Sequence, residues 1–325
     1  MVSTIAKNLK NLFNASEQMQ NKIKFSPYAL ALIGLALTNL FWAGNAVVAR
    51  FVVDDIPPLT LIFGRWSLAF LMLLPFALPH LKNSVTVIRE RWFMIIVLGV
   101  MAIATYNSVL YLAAHSTTAI NIALISSSMP LVALLVSWLL LKTKPSHWQL
   151  VGIAASLLGV FIVISRGQLT LLQELIAAGL NRGDLMIFGL VCLWSFYSVM
   201  LRKYPINLHP IALLTVLVAA GLPVLTVLFV IELSVLPPFS LGLSAASIFI
   251  YTAIFPSILA YLFWINGIKI VGPNVSALSC CLMPLFAAIL AVPILGETLY
   301  WFHYLGGTLI LIGLYFGSVF KNQFK

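Results

Sequence analysis

Charged residues are scarce in this chain: Asp, Glu, Lys and Arg make up 8% of its 325 residues, against roughly a quarter in soluble domains. Acidic residues are the scarcest, with eight Asp and Glu against 18 Lys and Arg, and the formal net charge is +10. Together with a hydrophobic content of 62% and a mean hydropathy of +1.08, this composition excludes a soluble globular domain. A nucleic-acid-binding protein would present its basic residues on an exposed face of a soluble fold, so we predict a lipid bilayer as partner and no nucleic acid.

Reactive side chains are also few. The three cysteines, Cys192, Cys280 and Cys281, lie inside apolar runs, where a buried thiol is more common than a disulfide or a metal ligand. The two-histidine zinc motif and the serine elbow of hydrolases are absent from the sequence. We therefore predict no catalytic residue, no metal and no cofactor, and we keep a membrane-embedded enzyme as the alternative class.

The sequence is rich in long apolar runs. From Tyr28 onward they reach the roughly 20 residues that an α-helix needs to cross a bilayer. Ten spans are predicted, at residues 28–49, 59–78, 92–112, 118–141, 148–165, 184–201, 210–231, 243–266, 273–295 and 299–320. The predicted fold class is an all-α polytopic membrane protein.

The chain contains an internal repeat. Shifting the sequence by about 152 to 154 residues places Pro130 on Pro284, Gly152 on Gly306, Gly159 on Gly313 and Trp42 on Trp194. Each half has an odd number of predicted spans, so the second half crosses the membrane upside down relative to the first. Two inverted five-helix repeats can rock about a central site, which is the geometry of alternating access.

The distribution of basic residues predicts the orientation. With both termini cytoplasmic, fourteen Lys and Arg lie inside and only Arg50, Arg166 and Arg182 lie outside, as the positive-inside rule favours. The predicted location is the cytoplasmic (inner) membrane. The predicted domains are a cytosolic segment with an amphipathic helix at 1–26, a first repeat at 27–166, an external connector with an interfacial helix at 167–183, and a second repeat at 184–325.

Several motifs at the ends of the runs carry a family resemblance. Gly183-Asp184 opens a run that reaches Trp194-Ser195-Phe196-Tyr197 and ends at Arg202-Lys203, and Gly296-Glu297 precedes the glycines of the last span. In these motifs the chain resembles the EamA-type transporters of the drug/metabolite transporter superfamily. The resemblance implies ten helices in two inverted repeats and a transporter similar to bacterial exporters of amino acids and other metabolites.

The resemblance extends over residues 27–320 and includes Trp42 in the first span and Arg65 in the second. The chain departs from the family pattern at one place. Where the second repeat has Gly296-Glu297, the first repeat has Lys142-Thr143. A shared role for that acid in both halves is therefore not expected.

Polar and aromatic side chains recur at helical spacing inside the predicted spans. Thr38, Trp42, Asn45 and Ala49, for example, form one narrow stripe. Because polar groups in hydrocarbon need partners, these faces are expected to point inward, toward a small-molecule substrate or toward neighbouring helices. The candidate substrate-binding residues are Trp42, Asn45, Arg65, Asn107, Tyr111, Asn121, Ser128, Trp194, Ser198, Tyr261, Trp264 and Ser279.

Arg65 is the only basic residue inside a predicted span, where its charge needs compensation. Its guanidinium would hold a substrate carboxylate, or else snorkel to the outer surface or pair with a protein side chain. Pro130 and Pro284 lie within apolar runs and predict a bend in each half, which is either a gate or a static kink.

The fifth and tenth predicted spans are rich in glycine. Small residues let helix backbones approach closely, either within the chain or in a homodimer through these two spans. The glycines are Gly152, Gly159, Gly306, Gly313 and Gly317.

The sequence thus predicts an exporter of small organic metabolites, amino acids in particular, that works by alternating access. A nucleobase, nucleoside or nucleotide-sugar carrier is the alternative among transporters. No acidic residue lies in the middle of a predicted span, so we expect uniport-like or weakly coupled transport rather than proton exchange through a central carboxylate.

Overall fold

The computed structural model describes residues 26–51, 56–114, 116–117, 122, 125–178, 181–235, 243–295 and 298–319. These residues are helical wherever they have regular secondary structure, and they include no strand. The elements are α1 (Pro27–Phe51), α2 (Pro58–Lys82), α3 (Val85–Glu90), α4 (Trp92–Gly99), the π-helix π1 (Val100–Thr105), α5 (Tyr106–Ala114), α6 (Met129–Leu141), α7 (His147–Ile164), α8 (Leu169–Ala178), α9 (Arg182–Lys203), α10 (Pro210–Val235), α11 (Leu243–Thr252), the π-helix π2 (Ala253–Leu259), α12 (Ala260–Ile270), α13 (Pro273–Ser279), α14 (Leu282–Leu295) and α15 (Trp301–Val319).

Eight helical stretches of the described chain are long and apolar enough to cross a bilayer, as expected of a multi-pass membrane protein. They are Pro27–Asn45, Pro58–Lys82, Trp92–Leu110, His147–Ile164, Arg182–Lys203, Pro210–Val235, Ala245–Ile270 and Pro273–Leu290. The other two predicted spans are not among these eight. Helix α6 is apolar but has only 13 residues, and helix α15 has 19 residues. The count of ten spans stays a prediction.

The two halves of the chain pack on one another in a reciprocal pattern. Helix α1 packs on α12 and α14 of the second half, and α9, its repeat equivalent, packs on α5 and α6 of the first. Two further contacts, α2 with α10 and α7 with α15, join helices that are equivalent to each other. Such an exchange of partners is expected if a pseudo-two-fold axis relates the two repeats.

The contact between α7 and α15 is made by glycines. A Cβ atom on Gly152 would lie 2.5 Å from the carbonyl oxygen of Gly313, and one on Gly159 would lie 2.5 Å from that of Gly306. Both distances are too short for any other residue, so these positions need glycine for the backbones to meet. The glycines are thus used within the chain, and a homodimer through these spans stays a prediction.

The prolines expected to bend the fourth helix of each half lie at a break in that helix. Helix α6 begins at Met129, directly after a turn at Ser127 and Ser128, and Pro130 is its second residue. In the second half, α13 and α14 are separated by a two-residue turn, and Pro284 is the third residue of α14. Proline is tolerated there because the first turn of a helix has no intrahelical acceptor for its N–H.

The two π-helical segments were not predicted from the sequence. They are repeat equivalents, because a shift of about 154 residues places Val100–Thr105 on Ala253–Leu259. In π2, Pro256 lacks the N–H of a regular helix, and the Ser257 hydroxyl donates to the carbonyl oxygen of Thr252 at 2.8 Å. In π1, the carbonyl oxygen of Ile103 accepts a hydrogen bond at 2.9 Å from the carboxamide of Asn107, which belongs to the following helix α5. Side chains thus satisfy carbonyls that the wider turn leaves open.

The predicted connector contains helix α8, where an interfacial helix is expected. Helix α7 before it ends in a left-handed turn at Arg166 and Gly167, with φ of 53° and 71°. Helix α9 after it begins with a capping box between Asn181 and Asp184. The predicted amphipathic helix near the N-terminus falls on residues 1–25, which lie outside the described chain.

Candidate substrate-binding site

The Arg65 side chain lies in the interior of the protein, only 4% exposed, although it belongs to a membrane-spanning helix. Its Nη2 donates to Asn107 Oδ1 at 3.0 Å and its Nη1 to Asn45 Oδ1 at 3.4 Å. The guanidinium carbon is also 5.3 Å from the ring centroid of Trp66. Three of the predicted site residues, from three helices, therefore meet here, and Arg65 is buried rather than snorkelling outward.

Asn107 is held so that its oxygen faces the guanidinium. Its Nδ2 donates to the carbonyl oxygens of Ile103 and Ala102, at 2.9 and 3.3 Å, which leaves Oδ1 for Arg65. The carboxamides of Asn107 and Asn45 are neutral, so they orient the guanidinium without cancelling its positive charge. Such an arrangement can bind an anionic group.

Four aromatic side chains form a cluster beside Arg65: Trp42 from the first half, and Trp194, Tyr261 and Trp264 from the second. The centroid of the Trp42 ring lies 5.4 Å from that of Trp194, 6.0 Å from Tyr261 and 5.3 Å from Trp264. Trp66, the neighbour of Arg65, meets Tyr261 edge to face at 4.9 Å. Trp42 and Trp194 are repeat equivalents, so the cluster lies where the two halves meet.

Reciprocal hydrogen bonds fix this cluster to the π-helical segments. Trp42 Nε1 donates to the carbonyl oxygen of Pro256 in π2 at 3.1 Å, and the Tyr261 hydroxyl donates to that of Ala102 in π1 at 2.9 Å. Ala102 and Pro256 are equivalent under the shift of about 154 residues. Each half therefore anchors an aromatic ring of the other half through the same backbone position.

The interior also holds buried donors without a partner among the described residues. They include the indole N–H groups of Trp194 and Trp66 and the hydroxyls of Tyr197, Ser108 and Ser195. A buried polar group normally has a hydrogen-bond partner, so these donors remain available to an acceptor. Trp264 differs, since its Nε1 donates to the Ser198 hydroxyl at 3.3 Å.

Comparison with known proteins identifies the family. A sequence model described as the EamA-like transporter family matches residues 29–165 and 181–319. The chain belongs to the EamA-like transporter family. The resemblance noted from the sequence motifs is thereby confirmed.

The relatives of this EamA-like transporter are named as transporters. The "Uncharacterized transporter YyaM" of Bacillus subtilis (strain 168) is 28% identical over 280 residues, which cover 85% of this chain and 89% of the relative. An "Uncharacterized transporter" of Archaeoglobus fulgidus is 26% identical over 290 residues, with 89% and 97% covered. The "Uncharacterized inner membrane transporter YedA" of Escherichia coli (strain K12) is 27% identical over 270 residues, with 80% and 81% covered.

A crystal structure of another protein has the same fold, with a TM-score of 0.71 at 18% sequence identity. The match covers 89% of this chain and 96% of the other. Family and relatives together indicate that this EamA-like transporter is a membrane transporter rather than an enzyme.

Not every predicted site residue of this EamA-like transporter reaches the cluster. The Ser279 hydroxyl accepts from Asn39 Nδ2 at 2.9 Å and donates to the carbonyl oxygen of Ser276, and the Ser128 hydroxyl donates to that of Ile125 at 2.6 Å. Ser279 thus makes the helix-to-helix hydrogen bond that was the alternative interpretation, whereas the bond of Ser128 is local to its own turn. The Tyr111 side chain and the whole of Asn121 lie outside the described structure.

A polar contact at the N-terminus of α2 was missed in the sequence. The Glu232 carboxylate, 8% exposed, accepts from the backbone N–H of Leu59 at 2.9 Å and of Thr60 at 2.6 Å, and from the Thr60 hydroxyl at 2.8 Å. The acid thereby caps the N-terminus of α2, whose own first turn has no acidic residue. In the sequence, Glu232 lies just beyond the end of an apolar run and is expected to be solvent-exposed. The only indication of a cap from elsewhere in the chain is Pro57-Pro58, because this helix start has no capping side chain of its own.

Proposed function

We propose that this transporter exports small organic metabolites that carry a carboxylate, amino acids in particular, by alternating access through the centre between its two repeats. The observation that carries the proposal is Arg65, a guanidinium buried inside a membrane protein and oriented by two neutral carboxamides. A planar guanidinium matches a carboxylate in shape and charge.

The chemistry around Arg65 supports an acceptor-rich substrate with an apolar part. Unpartnered groups on Trp194 of the cluster, and on Trp66 and Tyr197, whose rings contact the cluster, can all donate a hydrogen bond, and a carboxylate accepts several. The ring faces suit an apolar side chain, and a ring would add about 0.5 to 2 kcal/mol for an ammonium group placed over it. An amino acid combines these features in one small molecule.

The cluster is closed in this conformation, because Trp42 is in contact with Trp194, Tyr261 and Trp264 at once. A substrate reaches Arg65 when the rings of the two halves separate. The breaks at Pro130 and Pro284 support such a motion, since interrupted helices are common at the substrate sites of inverted-repeat transporters. We propose the cytoplasmic membrane as the location, with both termini in the cytoplasm.

A carrier of nucleobases, nucleosides or nucleotide sugars is the second candidate, because four aromatic rings also suit a planar base. The two candidates differ in what they need from Arg65. An amino acid requires the guanidinium for its carboxylate, whereas a nucleobase or nucleoside binds through its ring and has no anionic group. A nucleotide sugar carries an anionic diphosphate, so within the second candidate only this substrate would also use Arg65.

A substrate panel in proteoliposomes tests the proposal. Vesicles containing the purified protein are loaded with phenylalanine, with phenethylamine, which lacks only the carboxylate, or with a nucleoside. We expect efflux of the amino acid and, relative to protein-free vesicles, none of the amine. Equal efflux of amine and amino acid would refute the carboxylate role, and efflux of the nucleoside alone would favour the second candidate.

Two further measurements address energetics and orientation. Efflux of the amino acid down its gradient should persist after the proton gradient is collapsed; its complete loss would show obligate coupling. In cells expressing a variant without native cysteines, Ser16→Cys or Asn322→Cys should react with an impermeant thiol reagent only after lysis. Labelling of intact cells would reverse the proposed orientation.

A further inference from the structure

A polar cavity lies away from the aromatic cluster, at the end of the protein that carries the turn between α6 and α7. Its volume is about 140 Å³, the space that roughly four or five water molecules occupy in the liquid. It is lined by residues from the end of α6, the α6–α7 turn, the start of α7, the end of α9, and Gly272 with the first residues of α13. Both halves of the chain thus contribute to it.

Hydrogen-bond donors converge on this cavity from four positions. Lys144 and Arg202 bring positive charge, and Arg202 uses one Nη group to donate to the carbonyl oxygen of Lys269. Ser137 is fully buried, and its hydroxyl has no partner among the described residues. Gln149 is 7% exposed, and its Oε1 accepts from the N–H of Ser146 at 3.1 Å, which fixes the carboxamide and leaves its NH₂ group as a donor.

The charge balance of the lining favours an anion. Two cationic side chains contribute to the described lining, and neither Asp nor Glu does. The unpartnered buried hydroxyl of Ser137 is costly unless it gains an acceptor. Four donors that line one cavity suit a phosphate, which has more charge and more acceptor oxygens than a carboxylate.

One lining group is an acceptor. The Oδ1 atom of Asn274 is buried and has no partner among the described residues. It would accept from a hydroxyl or ammonium group attached close to the phosphate, as in a phospholipid headgroup or a soluble phosphate ester. The cavity lies at the ends of membrane-spanning helices, where basic pockets between helices bind anionic headgroups.

The geometry points to a phosphate-binding site formed by Ser137, Lys144, Gln149 and Arg202, separate from the central substrate site. It takes the phosphate group of a phospholipid headgroup or of a soluble phosphate ester. This assignment does not depend on the proposed amino acid transport, because none of its residues contacts the aromatic cluster or Arg65 in a described hydrogen bond or ring contact.

Binding to the purified full-length protein tests the site in two arms. In the first, inorganic phosphate is titrated in detergent at constant ionic strength against chloride, and the thermal unfolding temperature is recorded, since a ligand that binds the folded state raises it. In the second, native mass spectrometry counts the phosphatidylglycerol molecules that stay bound. A response in the first arm indicates a soluble phosphate, and one in the second arm alone indicates a lipid.

Charge variants distinguish a specific phosphate-binding site from general attraction of anions to a basic protein. The double variant Lys144→Gln, Arg202→Gln should weaken binding at least about tenfold, because it removes two charge-assisted hydrogen bonds. Lys82→Gln, which removes one positive charge at the end of α2, should leave binding unchanged. An equal loss in Lys82→Gln would overturn the site, as would the absence of a response in both arms.

Ser137→Ala is the sharpest variant, because it keeps every charge. If the hydroxyl binds the ligand, its removal weakens ligand binding several-fold. The ligand-free protein is then as stable as before or more stable, because a buried hydroxyl without a partner has been removed. If the hydroxyl is structural, the ligand-free protein loses stability and binding is unaffected. That second result would overturn its assignment to the site.

Discussion

Equivalent positions in the two halves of the chain contribute different chemistry to the centre of the molecule. Under the repeat shift of about 152 to 154 residues, Asn107 of the first half corresponds to Tyr261 of the second, and Arg65 corresponds to the apolar stretch around Leu217. The first half thus supplies the guanidinium and the carboxamides, and the second supplies most of the aromatic surface.

Other equivalent positions are the same in both halves, and they hold the repeats together. Gly152 and Gly306 lie in the α7–α15 contact, and Trp42 and Trp194 meet between the halves. We therefore propose that the duplicated glycines serve the scaffold and that residues present in only one half, such as Arg65, set the substrate. The following variants test this division, from the largest expected effect to the smallest.

The largest effect is expected at the duplicated glycine contact. Gly313→Val places a branched side chain against the carbonyl oxygen of Gly152 and the hydroxyl of Ser156. Overpacking of this kind costs about 1 to 3 kcal/mol and sometimes more, so the yield of folded protein should fall sharply. Gly189→Val is the matched control, because a Cβ there meets nothing within 4 Å. Fluorescence-detected size exclusion measures both, and equal yields would contradict the scaffold role.

The next effect is expected at Arg65, which has no counterpart in the second half. Arg65→Ala should lower the apparent affinity for carboxylate substrates about tenfold to a hundredfold, since a charge-assisted hydrogen bond contributes about 1.5 to 3 kcal/mol. Arg65→Lys should keep part of the affinity, because it keeps the charge but loses the planar fork. Arg89→Ala, on the short helix α3, is the control. Normal export by well-folded Arg65→Ala would show that Arg65 is structural.

A smaller effect is expected where α2 and α10 meet at their two ends. At the start of α2 the two helices are joined by three hydrogen bonds to Glu232, whereas at the end of α2 they are joined by stacking of His80 on His209, with ring centroids 3.9 Å apart. Glu232→Ala should therefore lower the free energy of unfolding by about 1 to 2 kcal/mol. His80→Ala should lower it by less, and thermal unfolding in detergent compares the two. The reverse order would show that stacking dominates.

The smallest effect is expected at the two equivalent tryptophans, Trp42 and Trp194, whose substitution by Phe should change stability differently. The Trp42 indole donates to the carbonyl oxygen of Pro256, so Trp42→Phe should cost about 1 kcal/mol of stability. The Trp194 indole has no partner among the described residues, so Trp194→Phe should leave stability nearly unchanged while it weakens substrate binding. Thermal unfolding and efflux measured on the same preparations distinguish the two. Identical behaviour of both variants would mean that the indole groups are interchangeable.

Much of the scaffold can be predicted from the sequence, because apolar runs and repeated glycines follow from the bilayer and from close helix packing. Arg65, Asn45 and Asn107 can be singled out because polar groups are rare in the spans, but their contact depends on distances between helices. The π-helical segments could not be predicted, since one extra residue per turn hardly changes the hydrophobic pattern. The orientation of the Asn107 carboxamide depends on that turn and was missed with it.

The reciprocal bonds between Trp42 and Pro256 and between Tyr261 and Ala102 have a consequence for biosynthesis. The first repeat leaves the ribosome before residues 253–270 exist, so the indole of Trp42 has no acceptor until the second repeat is synthesised. The first half emerging alone is thus an incomplete folding unit with unsatisfied polar groups in lipid. Co-expression of the two halves as separate chains should yield folded transporter, whereas residues 1–166 alone should be retained by the insertion machinery and degraded.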